Sequence, residues 1–232
     1  MATIVLVHGI AQEQEAADTL ESEWLPALAG GVRAAGYPAI ADCLWRDRAI
    51  EVRMAFYGSR YRRPDQQGED PGDLHEAEAT LAEQLAIEWL ERAAQQASRP
   101  REKATAGREL AYVRHEVGAE EAGSGAVLRS AINGLARLRW FAPHGLAFAA
   151  RFVAKSLAQV TRYFSDEEIR SAAQQAVLDR IGPETKIVIG HSLGSVVAYE
   201  AVQRLDQSLP LLITLGSPLG LGRFCQLSGL AA

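Results

Sequence analysis

The spacing of apolar residues changes character along the chain, and each change predicts an element. Thr3-Ile4-Val5-Leu6-Val7 is a continuous apolar run, the pattern of a strand buried on both faces, and it stops at His8-Gly9-Ile10. From Gln12 to Ala35 the period becomes helical, with Leu20, Trp24, Leu25 and Leu28 on one face. Glu13, Glu15 and Asp18 lie early in that stretch, where the positive end of a helix favours acids. Pro26 predicts a kink, and Gly30-Gly31 or Gly36 a stop. Ile50 to Gly58 alternates apolar and polar and reads as a second strand, joined to the first by a right-handed crossover. Ala39 to Trp45 fits a helix and an extended segment equally well.

The middle of the chain is helical in pattern. Arg60 to Gly72 is a polar, proline-containing loop, and Leu74 to Ala97 a helix carrying Leu81, Leu85, Trp89 and Leu90, ended by Arg99-Pro100. Arg101 to Glu121 is charged with glycine punctuation, as a short helix or a partly disordered segment would be. Between Gly125 and Ser165, two apolar helical stretches hinge near Pro143, and their charges are all basic: Arg129, Arg137, Arg139, Arg151, Lys155 and Arg162. Two readings of this cationic pair stand side by side. It caps a site and pairs its arginines with the acidic helix around Glu76 to Glu91, or it makes peripheral contact with an anionic lipid surface.

The core pattern then returns. Asp166 to Ile181 reads as a helix whose capping box is Ser165 and Glu168, stopped by Gly182-Pro183. Lys186 to Gly190 is a strand, an apolar run at helical spacing begins just past Ser192, and Leu211 to Leu215 is a further buried strand. Gly220 to Ala232 shows no clear element. The expected architecture is α/β, with a short parallel sheet of these four strands.

The chemistry sits where the third strand meets its helix, in Gly190-His191-Ser192-Leu193-Gly194. A serine on a tight strand-to-helix turn has strained dihedrals, and flanking glycines keep side chains out of the bend. The turn lifts the hydroxyl above the sheet, and the helix start offers free N–H groups to a developing oxyanion. The strand before Ser192 and the helix after it supply the context that this short motif needs to mark a nucleophile.

The strand ending in His8-Gly9, the Gly-His-Ser-Leu-Gly turn and the later Thr214-Leu215-Gly216-Ser217-Pro218 fall in an order that resembles the α/β-hydrolase superfamily, nearest its lipase and esterase branch. The resemblance covers only the first dozen and the last fifty or so residues of the chain. It implies Ser192 as nucleophile and the backbone N–H groups of Ile10 and Leu193 as the oxyanion hole, with Gly9, Gly190, His191 and Gly194 shaping the turns. Together with crossover handedness it places the Ile50 strand outside the first and the Lys186 and Leu211 strands on its other side. It further implies a discontinuous, C-terminally incomplete core of residues 1–58 and 166–232, interrupted by a helical cap of residues 59–165. His8 is expected to pack the oxyanion turn, and His191 to flank the elbow without serving as base.

The same resemblance calls for an acid and then a histidine after the serine. The histidines are His8, His75, His115, His144 and His191, and none follows Ser192. Three readings stay open: the N-terminal portion of a longer hydrolase, a degenerate hydrolase that binds rather than cuts, or a triad completed by His115 or His144. The expected activity is hydrolysis of a small-molecule or lipid ester; a thioesterase or peptidase on the same fold, or a lipid- or protein-binding module, are the alternatives. A net charge of −5 over 232 residues argues against nonspecific nucleic-acid binding. Cys43 and Cys225 suggest neither a disulfide framework nor a metal site, the first strand begins without a signal-peptide pattern, and no run has the length of a membrane span. A cytoplasmic protein without metal or organic cofactor is expected. Oligomeric state is left open.

Overall fold

A computed structural model of the chain describes residues 2–62, 74–117, 124–138 and 146–227. In chain order the first elements are β1 (Ile4–Val7), α1 (Ala17–Ala34), α2 (Pro38–Trp45), β2 (Val52–Ala55), α3 (Glu76–Gln96), α4 (Pro100–Val117) and α5 (Ser124–Ala136). There follow α6 (Leu146–Ser165), α7 (Glu167–Leu178), β3 (Ile187–His191), α8 (Leu193–Val202), β4 (Leu211–Leu215) and α9 (Gly222–Leu227). They divide into two compact units, one of Met1–Arg62 and Glu167–Gly220, the other of Arg63–Asp166 and Leu221–Leu227.

The first unit is an α/β sheet with helices on both faces. Its strands run in the order β2-β1-β3-β4, all parallel, with Val7 opposite Ala55 on one side and Gly190 on the other. Alternation along a strand sends neighbouring side chains to opposite faces. Ile4, Leu6, Val52, Met54 and Ile189 form one core with Leu20, Leu25 and Ala29 of α1 and Ala41 and Leu44 of α2. Val5, Val7 and Val188 are fully buried on the other face, where α8 runs against β1, β3 and β4 and α7 packs on α8. Each such aliphatic side chain contributes about 1.5–3 kcal/mol by burial. A buried network joins α7 to α8: Glu200 accepts a forked pair from Arg170 (3.0 and 2.8 Å) and a third bond from Gln174 at 2.7 Å.

Several boundaries differ from the sequence pattern for local reasons. The first helix begins at Ala17 rather than Gln12, because Ala11 takes a positive φ of 61° and the next residues are held as a loop. The Arg62 guanidinium donates to Glu13 O, and a Cβ on Gly58 would lie 2.6 Å from Gln12 O. The helix then runs through Gly30-Gly31 and Pro26 and gives way at Gly36, whose φ is 93°. Ala39–Trp45 is helical, with Pro38 opening α2, where its missing N–H has no helical acceptor to lose. Ser165 is not the cap of α7: α6 continues through it, and its hydroxyl donates to Glu78 at 3.1 Å. The strand at Leu211 is not buried either. It is an edge strand, with Leu211 46% and Leu215 47% exposed, and among the described residues no strand lies beyond it.

In the second unit the charged stretch after Pro100 is a full helix, and α3 to α6 pack with Leu85, Leu90, Val113, Leu128, Leu135 and Leu157 buried. The expected hinge at Pro143 lies outside the described residues. Arg137, just past the end of α5, pairs at 2.7 Å with Glu109 of α4, and Arg114 of α4 pairs at 2.7 Å with Glu91 of α3. Glu91 of the acidic helix α3 is thus paired from α4. Arg162 of the later cationic stretch is only 4% exposed, so it belongs to no cationic surface. Among the described residues no helix is long and apolar enough to cross a membrane.

The outer edge of β2 shows how a strand edge is satisfied in this fold. Glu21 of α1 is 7% exposed and its Oε1 accepts the Met54 N–H at 2.7 Å, with Arg53 3.8 Å from its other oxygen. Glu21→Ala removes the acceptor and leaves a buried donor unmade, a loss of about 1–3 kcal/mol, read as a lower urea midpoint at unchanged slope. Glu21→Gln keeps an acceptor and loses less. A midpoint equal to wild type in Glu21→Ala would show that water serves this edge equally well.

Candidate active site

The sheet changes winding direction between β1 and β3. The chain leaves β1 toward β2 by way of α1 and α2, and leaves β3 toward β4 by way of α8 on the opposite face. At such a switch point the two outgoing loops part and open a crevice beyond the carboxyl ends of the strands. His8-Gly9-Ile10 and His191-Ser192-Leu193 occupy those two ends, side by side in the register.

Ser192 has φ 52° and ψ −127°, a conformation that L side chains rarely adopt. Its N–H donates to Leu215 O at 2.9 Å and its carbonyl accepts the Ser195 N–H at 3.0 Å. The bend is closed by contacts that only glycine permits. A Cβ on Gly190 would lie 2.6 Å from both Gly194 O and Ser195 Cα, and one on Gly194 would overlap the carbonyl oxygens of Val7 and His8. At Gly9 an added Cβ would meet Ser192 Cβ and His191 O at 2.9 Å. The first turn of α8 is thus pressed onto the end of β1, and the loop leaving β1 abuts Ser192.

Ser192 is half-buried, and its hydroxyl has no hydrogen-bond partner among the described residues. The N–H groups of Ile10 and Leu193 likewise have no acceptor among the described residues. For Leu193 this follows from its place at the first position of α8, where no preceding turn supplies a carbonyl. Two unspent donors beside a half-exposed hydroxyl suit an oxygen that gains negative charge.

His8 is 1% exposed and fully engaged. Its Nε2 accepts the Tyr57 N–H at 3.1 Å, so the proton is on Nδ1, which donates to Gly9 O at 2.7 Å. The Tyr57 hydroxyl donates to His8 O at 2.6 Å, and the two rings stack at 4.1 Å. Burial pushes the His8 pKa down to about 4, and with both nitrogens committed to backbone the ring cannot take a serine proton. Burial also pushes the Tyr57 phenol up, keeping it a neutral donor. His191 packs edge-on against Trp24 at 5.8 Å, and partial burial lowers its pKa. No hydrogen bond joins it to Ser192 among the described residues. His75 and His115 belong to the second unit, and His144 lies outside the described residues.

The sequence pattern did not single out Tyr57, Ser195 or Ser217, which hold these turns in place. Ser217 lies within the Thr214–Pro218 motif and Ser195 directly follows the Gly190–Gly194 turn, but neither pattern assigns them a part. Among the described residues no three metal-ligating side chains cluster together. An open cavity of about 550 Å³ in the second unit, lined by Arg99, Arg101, Thr105 and Arg137, contains none of these residues. No family model matches the chain, nor does any curated protein or solved structure.

The neutral, buried His8 makes stability depend on pH. The unfolded chain takes a proton on this histidine below its ordinary value of 6.5, whereas the folded chain resists until about 4. The contribution is therefore complete above the higher value and is lost as pH falls toward the lower, by up to about 1.4 kcal/mol per pH unit. Urea unfolding from pH 7 to pH 4 should show a steeper loss in wild type than in His8→Gln. Equal slopes would mean that His8 is hydrated in the native protein.

Proposed function

We propose that this chain is a serine hydrolase of the α/β-hydrolase kind, acting on carboxylic esters through Ser192. The observation that carries the reading is a non-glycine residue at φ 52° on a strand-to-helix bend at the switch point of a parallel sheet. A fold that holds a serine in this conformation, walled by glycines, places its hydroxyl where a substrate carbonyl can reach it. In the reaction Ser192 Oγ attacks the carbonyl carbon and loses its proton to a base. The oxygen of the tetrahedral intermediate accepts hydrogen bonds from Leu193 N–H and Ile10 N–H. Expulsion of the alcohol leaves an acyl-serine, and water then attacks it to release the acid.

The absence of a hydrogen-bonded base at Ser192 among the described residues favours a second reading, in which the elbow binds an acyl or other carbonyl group without cutting it. The two readings part on one experiment. Intact-mass labelling with a fluorophosphonate should give one adduct per chain, absent in Ser192→Ala. Its rate should rise with added imidazole, which can act as the base. A fast reaction insensitive to imidazole but lost in a histidine variant would identify a protein base. No adduct in folded protein, with or without imidazole, would overturn the hydrolase reading and leave the binding one.

A further inference from the structure

We propose that Ser217 and Ser195 form a directed hydrogen-bond relay that locks and polarises the Ser192–Leu193 peptide, making both serines positioning residues for the Leu193 N–H. The proposal rests on the hydrolase reading for its catalytic meaning, and on geometry for the relay itself.

Each serine hydroxyl has a single proton to give. Ser195 Oγ lies 2.5 Å from Ser192 O, an acceptor without a proton, so the Ser195 proton must point there. The 2.7 Å contact between the Ser195 and Ser217 hydroxyls is then made by the Ser217 proton, donated to Ser195. The Leu219 N–H donates in turn to Ser217 Oγ at 3.2 Å. The chain of donation therefore runs one way, from Leu219 N–H through two hydroxyls to the Ser192 carbonyl.

That carbonyl receives two donors, since the Ser195 N–H also reaches it at 3.0 Å. Ser195 is 0% exposed, so water cannot stand in for its hydroxyl. The Ser192–Leu193 peptide bond is trans, so the carbonyl of Ser192 and the N–H of Leu193 point in opposite directions from one rigid plane. Fixing the oxygen on one side fixes the proton on the other. Rotation of this plane is the simplest way for a residue at φ 52° and ψ −127° to relax, and the relay opposes it. Aligned bonds also polarise one another, so donation into the carbonyl makes the Leu193 N–H a stronger donor. Ser217 is thus the anchor that couples the turn after β4 to the oxyanion side of the elbow.

The test uses backbone resonances together with labelling. In Ser217→Ala the Ser192 carbonyl carbon and the Leu193 amide proton should shift relative to wild type, and imidazole-assisted labelling of Ser192 should slow about tenfold, a smaller loss than deleting an oxyanion donor outright. Ser217→Thr keeps the hydroxyl and should restore both, a pattern that a purely structural part would not produce. Resonances in folded Ser217→Ala that superpose on wild type overturn the relay whatever the labelling rate. If the variant does not fold, wild type decides alone: a slowly exchanging Ser195 hydroxyl proton supports the relay, and its absence overturns it. Wild-type protein that takes no label while the resonances move as expected retains the relay and sinks the hydrolase reading.

Discussion

The backbone of Ser192 is the constraint on which the site depends. A β-carbon at positive φ costs roughly 1–2 kcal/mol, and such a residue persists only where its surroundings over-determine it. Here the surroundings are backbone rather than side chain. Gly194 lies against the carbonyls of Val7 and His8, Gly190 against the first turn of α8, and Gly9 against Ser192 itself. Because β1 and β3 are adjacent parallel strands in register, the two loops must leave the sheet at the same level. Burial of Val5, Val7 and Val188 beneath them offsets the strain.

The same arrangement concentrates donors at one place. A helix start leaves N–H groups without intrahelical acceptors, and the N–H of Ile10, just ahead of the positive φ at Ala11, has no acceptor among the described residues. His8 contributes by being inert. Its imidazole ties the end of β1 to Tyr57 through Nε2 and to the Gly9 carbonyl through Nδ1, so the loop after β1 is fixed by a group that cannot itself exchange protons near neutral pH. Rigidity on one side of the crevice is set against a hydroxyl on the other that has no hydrogen-bond partner among the described residues.

The sheet was legible in the sequence because its signals are local and strong. Continuous β-branched runs at Ile4 and Ile187, and glycines two positions either side of Ser192, specify strands and a bend with little tertiary help. The order of the strands followed from crossover handedness together with the family resemblance. Less legible was everything set by distant partners. Leu211 to Leu215 has the composition of a central strand yet lies at an edge, since nothing within the run says whether another strand follows. Ser165 had the pattern of a cap, but α6 continued through it, with its side chain held by Glu78. The hydroxyl chain from Ser217 to Ser192 joins residues 25 positions apart and leaves no periodicity to read.

The most direct test of this account is the unfolding free energy of Ser192→Gly against Ser192→Ala, measured in urea under identical conditions. If the fold forces residue 192 to positive φ, glycine relieves the strain that alanine retains. The glycine variant should then be the more stable by about 1 kcal/mol, despite the greater freedom glycine gains in the unfolded chain. An alanine variant as stable as the glycine one, or more so, would mean that the turn is unstrained, and the case for a nucleophile held on that turn would fall with it.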